Sequence, residues 1–215
     1  MPVVISGTDN FVLNADSLGT AAAGAFDYDG KVFYATPQGT QRGVVPGAQF
    51  FRLDSGLAGA NVNTAQSVFG VGVTLSASTV YAFDYCLILT KSAGTTSHTL
   101  GLGYGGTATT NNFLTNGSGF GSNAALPTSS LGGNSYFFAS NSTANQTVSG
   151  GSTSATITWF YRIAGTVSIN AGGTLIPQYT LSAAPGGAYT TAAGSYFLIY
   201  PIGASGANVN VGTWA

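Results

Sequence analysis

TVYAFDYCLILT, residues 79–90, decides the fold. Tyr81, Phe83, Tyr85, Leu87 and Leu89 fall on one side of an extended chain, and Val80, Ala82, Asp84, Cys86 and Ile88 fall on the other. Alternation at period two is the mark of a β-strand. Three further stretches repeat it. ATITWFYRI at 155–163 aligns Ile157, Trp159, Tyr161 and Ile163. TLIPQYTLS at 174–182 aligns Leu175, Pro177, Tyr179 and Leu181, and SYFLIYPI at 195–202 aligns Tyr196, Leu198, Tyr200 and Ile202. Shorter strands are predicted for KVFYA (31–35), AQFFRL (48–53), SVFGVGVTL (67–75), HTLGLGY (98–104) and a segment around Ser135–Ala139. Turn-rich Gly, Asn, Ser and Pro separate them.

No helical stripe competes. The chain has no Glu, little Lys or Gln, and 32 glycines. About eight short strands with glycine-rich turns predict an all-β chain, a single-domain β-sandwich or jelly roll with long Gly/Ser/Asn-rich loops. Residues 105–135 and 139–154 are expected to be such loops. An N-terminal arm over residues 1–20 and a sandwich domain over 21–215 complete the expected organisation.

Of 215 residues, 5% carry a charge, against roughly 25% in ordinary soluble domains. Ten of the eleven charges precede residue 92, and Arg162 alone follows. A formal net charge of −1 leaves no electrostatic footprint for nucleic acid or for an anionic membrane. The apolar share of 44% argues against a disordered chain, and no apolar run approaches the length of a membrane-spanning helix. MPVVISGTDNF at the start does not read as a secretory signal, and one cysteine, Cys86, allows no internal disulfide. The Asn-x-Ser/Thr matches at Asn116, Asn141 and Asn145 carry little weight in a chain this rich in those residues.

Chemistry-bearing groups are scarce. Asp27 and Asp29 in DYDG are the one close pair of acids. The spacing suits a turn before KVFYA with salt links to Lys31 or Arg42 better than half of a Ca²⁺ loop, whose full pattern is absent. His98 has no acid after it, so a Ser-His-Asp arrangement would need Asp84 or an earlier residue; a solvent-satisfied histidine at a strand edge is the plainer expectation. One Cys and one His do not make a zinc site, and Cys86 reads as a small core residue. Gly101, Gly103 and Gly106 match G-x-G-x-x-G, but no helix pattern and no acid follow, so close packing or bulges explain them better. We expect no catalytic, cofactor-binding or metal-binding residues, and no enzyme.

Neighbouring aromatics are more informative. Phe33-Tyr34, Phe50-Phe51, Phe137-Phe138, Trp159-Phe160-Tyr161 and Tyr196-Phe197 lie in strand-like windows. Adjacent strand residues point to opposite faces, so one ring of each set faces outward, where a solvated sheet carries polar residues. An outer face this rich in rings is expected to be covered, by a loop or by another subunit, and an oligomer follows.

Several segments resemble one family. GAFDYDGKVFYATP at 24–37, QRGVVPGAQFF at 41–51, GTVSINAGGTLIPQYTLSAAPGG at 165–187, SYFLIYPIG at 195–203 and NVNVGTWA at 208–215 are similar to virion structural proteins of tailed bacteriophages, those of aquatic phages and cyanophages above all. The likeness covers nearly the whole chain past about residue 20. Similar domains also end longer fibre-like phage proteins. The resemblance implies a virion β-sandwich, disulfide-free, assembled in the bacterial cytoplasm and often a homotrimer, with no catalytic residues to carry over. It implies as partners copies of the chain and the major capsid protein or other virion proteins. With only about twenty residues ahead of the family segment, a head decoration (cement) protein is expected ahead of the alternative, a tail-fibre or receptor-binding tip that recognises host glycan. An enzyme acting on host polysaccharide is the third and least supported class.

Overall fold

The computed structural model describes residues 13, 15, 17–123, 134–206 and 208–214. All of its regular structure is β, and every strand pairing is antiparallel.

Three short strands open the fold: β1 (Phe26–Tyr28), β2 (Phe33–Ala35) and β3 (Gly43–Val45) form a small sheet of their own. Then come β4 (Gln49–Arg52), β5 (Leu57–Ala58), β6 (Gln66–Ser67) and β7 (Val73–Leu75). The long elements follow: β8 (Thr79–Lys91), β9 (Leu100–Gly105), β10 (Thr110–Ser122), β11 (Asn134–Ser140), β12 (Gln146–Thr147), β13 (Ile157–Ile169), β14 (Gly173–Leu181), β15 (Thr190–Thr191) and β16 (Tyr196–Ala204). An eight-stranded sheet holds β11, β10, β13, β8, β16 and β4 side by side, with β15 pairing alongside Leu89 and Thr90 near the end of β8 and β5 pairing with β15. A second sheet holds β12, β9, β14 and β6, and β7 also pairs with β14.

Side chains of the two sheets meet in one core. Tyr81, Phe83, Tyr85, Leu87 and Leu89 of β8 and Trp159, Tyr161 and Ile163 of β13 pack with Leu100 and Leu102 of β9 and Leu175, Tyr179 and Leu181 of β14. The strands fold this way because alternation presents one apolar row to that core. The β8 burial pattern alternates without a break along its whole length. Rings meet edge to face across the gap, where Tyr104 of β9 contacts both Phe83 and Tyr85, and within the large sheet Phe197 of β16 stacks on Phe83 at a centroid distance of 6.0 Å. The chain is therefore sandwich-like, as its alternation predicts.

Three expectations need correction. The supposed loop at 105–135 contains β10, a 13-residue strand paired along its length with β13. Its signal is hidden by NGSGFGS, where glycine takes the positions an apolar side chain would occupy. Gly117, Gly119 and Gly121 stand directly opposite Ile163, Tyr161 and Trp159. A Cβ on any of them would collide with those side chains, so here glycine makes room for large neighbours. Within the second supposed loop, 139–154, β12 and a bridge between His98 and Ser152 pair the chain with the β9 region. SVFGVGVTL is likewise two strands, broken around Gly70 with its φ of +72°. Most of the expected arm, residues 1–20, lies outside the described residues, Asp9 and Asp16 with it.

Candidate functional site

Sheet register sets the side chains of the outer face in rows. One row runs Arg52, Tyr196, Cys86, Arg162, Ser118 and Phe137 across β4, β16, β8, β13, β10 and β11. The next runs Phe50, Leu198, Asp84, Ala164, Asn116 and Ala139 across the same strands. On either side lie Ile88, Phe160 and Phe120, and Tyr200, Ala82, Thr166 and Leu114. Phe137 is 83% exposed, Phe50 59% and Leu114 53%. A solvated sheet face carries polar residues; this one is mostly rings and aliphatic groups. The expectation that one ring of each adjacent set faces outward holds for Phe33, Phe137, Phe160 and Tyr196, whose neighbours Tyr34, Phe138, Trp159, Tyr161 and Phe197 pack inward. Phe50 and Phe51 follow it as well: Phe50 lies in the outward row and Phe51 beside Phe197 and against Phe69, although on the edge strand β4 Phe51 keeps 38% of its surface exposed.

One ion pair marks the middle of the face. Arg162 Nη2 donates to Asp84 Oδ1 at 3.3 Å, and the Tyr196 hydroxyl donates to the same oxygen at 3.1 Å. The centre is open to water: the Arg162 side chain is 60% exposed and that of Asp84 34%. Burial, then the hydrogen bond to Asp84, raises the Tyr196 phenol above its ordinary range. A shallow trough of about 400 Å³ lies here, with Asp84, Arg162, Asn116 and Ser118 in its lining and Phe137 at its margin. At the end of the face near Val80 and Ile202, residues Gly206, Asn208 and Val209 flank it.

Cys86 sits on this outer face, half-buried, and not in the core; the alternation that buries Tyr85 turns it outward. Burial raises its thiol, and Arg162 and Asp84 act on it in opposite directions.

Asp27 and Asp29 part company. Asp27 lies 3.1 Å from Arg42, as one of the two expected salt links. Asp29 closes the turn into β2 by accepting the N–H groups of Lys31 and Val32, and its other oxygen accepts the Tyr34 hydroxyl. Each carboxylate is engaged in local structure.

His98 is buried, contrary to the expected solvent-facing position. Its Nδ1 lies 2.7 Å from the Thr96 carbonyl and its Nε2 2.7 Å from the Tyr189 hydroxyl, which also accepts Trp159 Nε1–H at 3.1 Å. Tyr189, distant in sequence, supplies the partner that water was expected to provide. Lys91 lies under the same ring, its Nζ 5.9 Å from the Tyr189 centroid and donating to the Gly94 carbonyl. Burial lowers the His98 imidazole, with Lys91 adding to the effect against the hydrogen bond to Thr96. The sequence signal for this network was present only as single residues. A Ser-His-Asp arrangement is not what holds this histidine.

Gly101 and Gly103 receive the close approach of Asn145, and Gly106 turns with φ of +116°. Asn116 stands exposed on β10 and Asn141 follows β11. Among the described residues, no three His, Cys, Asp or Glu side chains gather as metal ligands, and no helix is long and apolar enough to cross a membrane.

A second opening lies at the flank of the sandwich between β4 and β7, a groove of about 350 Å³ lined by Phe50, Phe51, Phe69, Val71, Val73 and Phe197. No family model, no curated protein and no solved structure matches the chain.

Proposed function

We propose that this chain is a structural subunit of a bacteriophage virion, a head decoration (cement) protein that works by self-association and by docking on the shell. The observation that carries the assembly part is the outer face of the large sheet, apolar, ring-rich and open to water. Bare patches of this kind mark contact surfaces. The virion part rests on the resemblance of residues 24–37, 41–51, 165–187, 195–203 and 208–215 to phage structural proteins. The jelly-roll form belongs to the same proposal. Successive long strands swap sheets, β8 to β9 to β10 and β13 to β14 to β16, in keeping with that form. The proposed place of the protein is the virion, assembled in the host cytoplasm, with its own copies and the major capsid protein as partners. Family likeness carries the expectation of a trimer. Cryo-electron microscopy of the intact particle tests the role: density for this chain on the head supports it, and density only on the tail overturns it.

A second reading has one observation in its favour. The trough beside Phe137 sets a carboxylate, a guanidinium, an amide and a hydroxyl next to an exposed ring, groups that suit a sugar's hydroxyls and its apolar face. On that reading the chain is a tail-fibre or receptor-binding tip. Specific binding on a host glycan array that is lost in Phe137→Ala would favour it.

A further inference from the structure

We infer that β11 is a contact strand: it pairs antiparallel with β11 of a second copy, about a two-fold axis normal to the sheet at Phe137. The inference rests on the self-association reading above and assigns it one contact.

The edge supplies the first argument. The other strands that end a sheet, β1, β3, β4, β5, β6, β7 and β12, are two to four residues long. β11 has seven, and among the described residues it pairs with β10 alone. Alternate residues of such a strand turn their N–H and C=O groups away from the one neighbour. Among the described residues, no other backbone hydrogen bond reaches residues 135–139. Natural sheets blunt an open edge with shortness, proline or charge. The opposite edge of the same sheet does so: β4 follows Pro46, is four residues long and ends on Arg52, which is tied to Asp54. NSYFFAS in β11 has neither charge nor proline.

The order of residues in β11 says what fits that edge. Antiparallel pairing of the strand with itself, centred on Phe137, sets Phe137 opposite its own copy, Tyr136 opposite Phe138 and Ser135 opposite Ala139. Ring meets ring and small residue meets small residue. Directly opposed aromatic pairs are among the stabilising cross-strand contacts. Centring on Tyr136 or Phe138 shortens the overlap and sets Phe137 against Ser135 or Ala139. The register centred on Phe137 also keeps every residue on its own face of the joined sheet. Tyr136 and Phe138 are core rings left half-covered at this edge, 5.8 Å from Trp159 and 6.2 Å from Tyr161. In the pair each covers the flank of the other, so the core runs on across the joint. Main-chain bonds supply the affinity, as in other strand additions, and seven residues give about six to eight of them. The contact is closed, because each open edge is used up by the other.

Sedimentation velocity on the purified full chain tests this. The wild type should run at twice 21.6 kDa. Phe137 is the most exposed ring of the face, so replacing it spares the core of the monomer. Phe137→Glu and Phe137→Lys each set like charges opposite one another on the axis, and each should run as a monomer with an unchanged far-ultraviolet spectrum. An equimolar mixture of the two should recover the dimer, because position 137 meets its own copy. Should a charged variant fail to fold, disulfide formation with copper phenanthroline as oxidant decides. In a Cys86→Ser background, Phe137→Cys should give a linked dimer. Ala139→Cys should link only when mixed with Ser135→Cys, since opposed positions lie within the Cα reach of a disulfide and Ala139 and its copy do not. A wild-type trimer, an oligomer that survives Phe137→Glu, folded variants without rescue, or no link through position 137 would overturn the pairing of β11 and leave self-association standing. A wild-type monomer would overturn both.

Discussion

Gly121 faces Trp159, and Gly119 faces Tyr161, with no room for a methyl group at either. Gly121→Ala is therefore expected to destabilise the fold by about 1–3 kcal/mol, the usual cost of overpacking a core. Ser118→Ala, on the solvent side of the same strand, should change stability by less than about 0.5 kcal/mol. Urea unfolding midpoints of the two variants check the contrast. Equal midpoints would mean that the rings do not lie on the glycine backbone. His98 gives the second residue-scale prediction. The folded chain holds this imidazole unprotonated below its ordinary value of 6.5, so the unfolded chain takes up the proton first. Stability is then full above about pH 6.5 and falls as pH drops toward the depressed folded value. The new charge would sit against the Tyr189 hydroxyl, with Lys91 under the same ring. Thermal melts between pH 8 and pH 5 should show this decline, and His98→Gln should flatten it. A wild-type melting temperature constant across that interval would count against the buried network.

At the scale of elements, the pairing of β8, β13 and β16 holds the large sheet, and Phe197 of β16 ties it to the core. Its ring contacts Phe69, Phe83 and Tyr85. Phe197→Ala should cost about 3–5 kcal/mol, read as a shift in the denaturant midpoint with an unchanged slope. A shift below 1 kcal/mol would show that the ring is not a core group. The elements also show where the sequence is legible. β8, β13 and β14 could be read directly, since their buried rows are largely Tyr, Phe, Trp, Leu and Ile at period two; β16 could be read as a strand, but Tyr196, Leu198 and Tyr200 of its aligned row face outward and Phe197 and Ile199 are the buried ones. β13 runs past the predicted end at Ile163 to Ile169 because Gly165 and Thr166 interrupt the apolar pattern without interrupting the pairing. β10 could not be read, because its inner positions are glycine and only the facing strand reveals why. The candidate face was half legible. Outward rings follow from adjacency in the chain, but the diagonal placing of Asp84 beside Arg162 on β8 and β13, and the row that ends in Arg52 and Phe137, depend on register between strands far apart in sequence. His98 was misjudged for the same reason: its partner Tyr189 is 91 residues away.

For the whole molecule, the scarcity of charge is the governing fact. Among the described residues the ion pairs are Asp27–Arg42, Arg52–Asp54 and Asp84–Arg162. Association through rings and aliphatic groups depends little on salt, whereas contact between exposed charges weakens as the screening length falls to about 3 Å at 1 M. The most direct measurement is the molar mass of the purified wild-type chain by light scattering in 0.1 M and in 1 M NaCl (chosen concentrations that bracket the screening range). The account predicts a multiple of 21.6 kDa, unchanged between the two conditions. A soluble 21.6 kDa monomer in both, with Phe50, Phe137 and Leu114 bare to water, would contradict it.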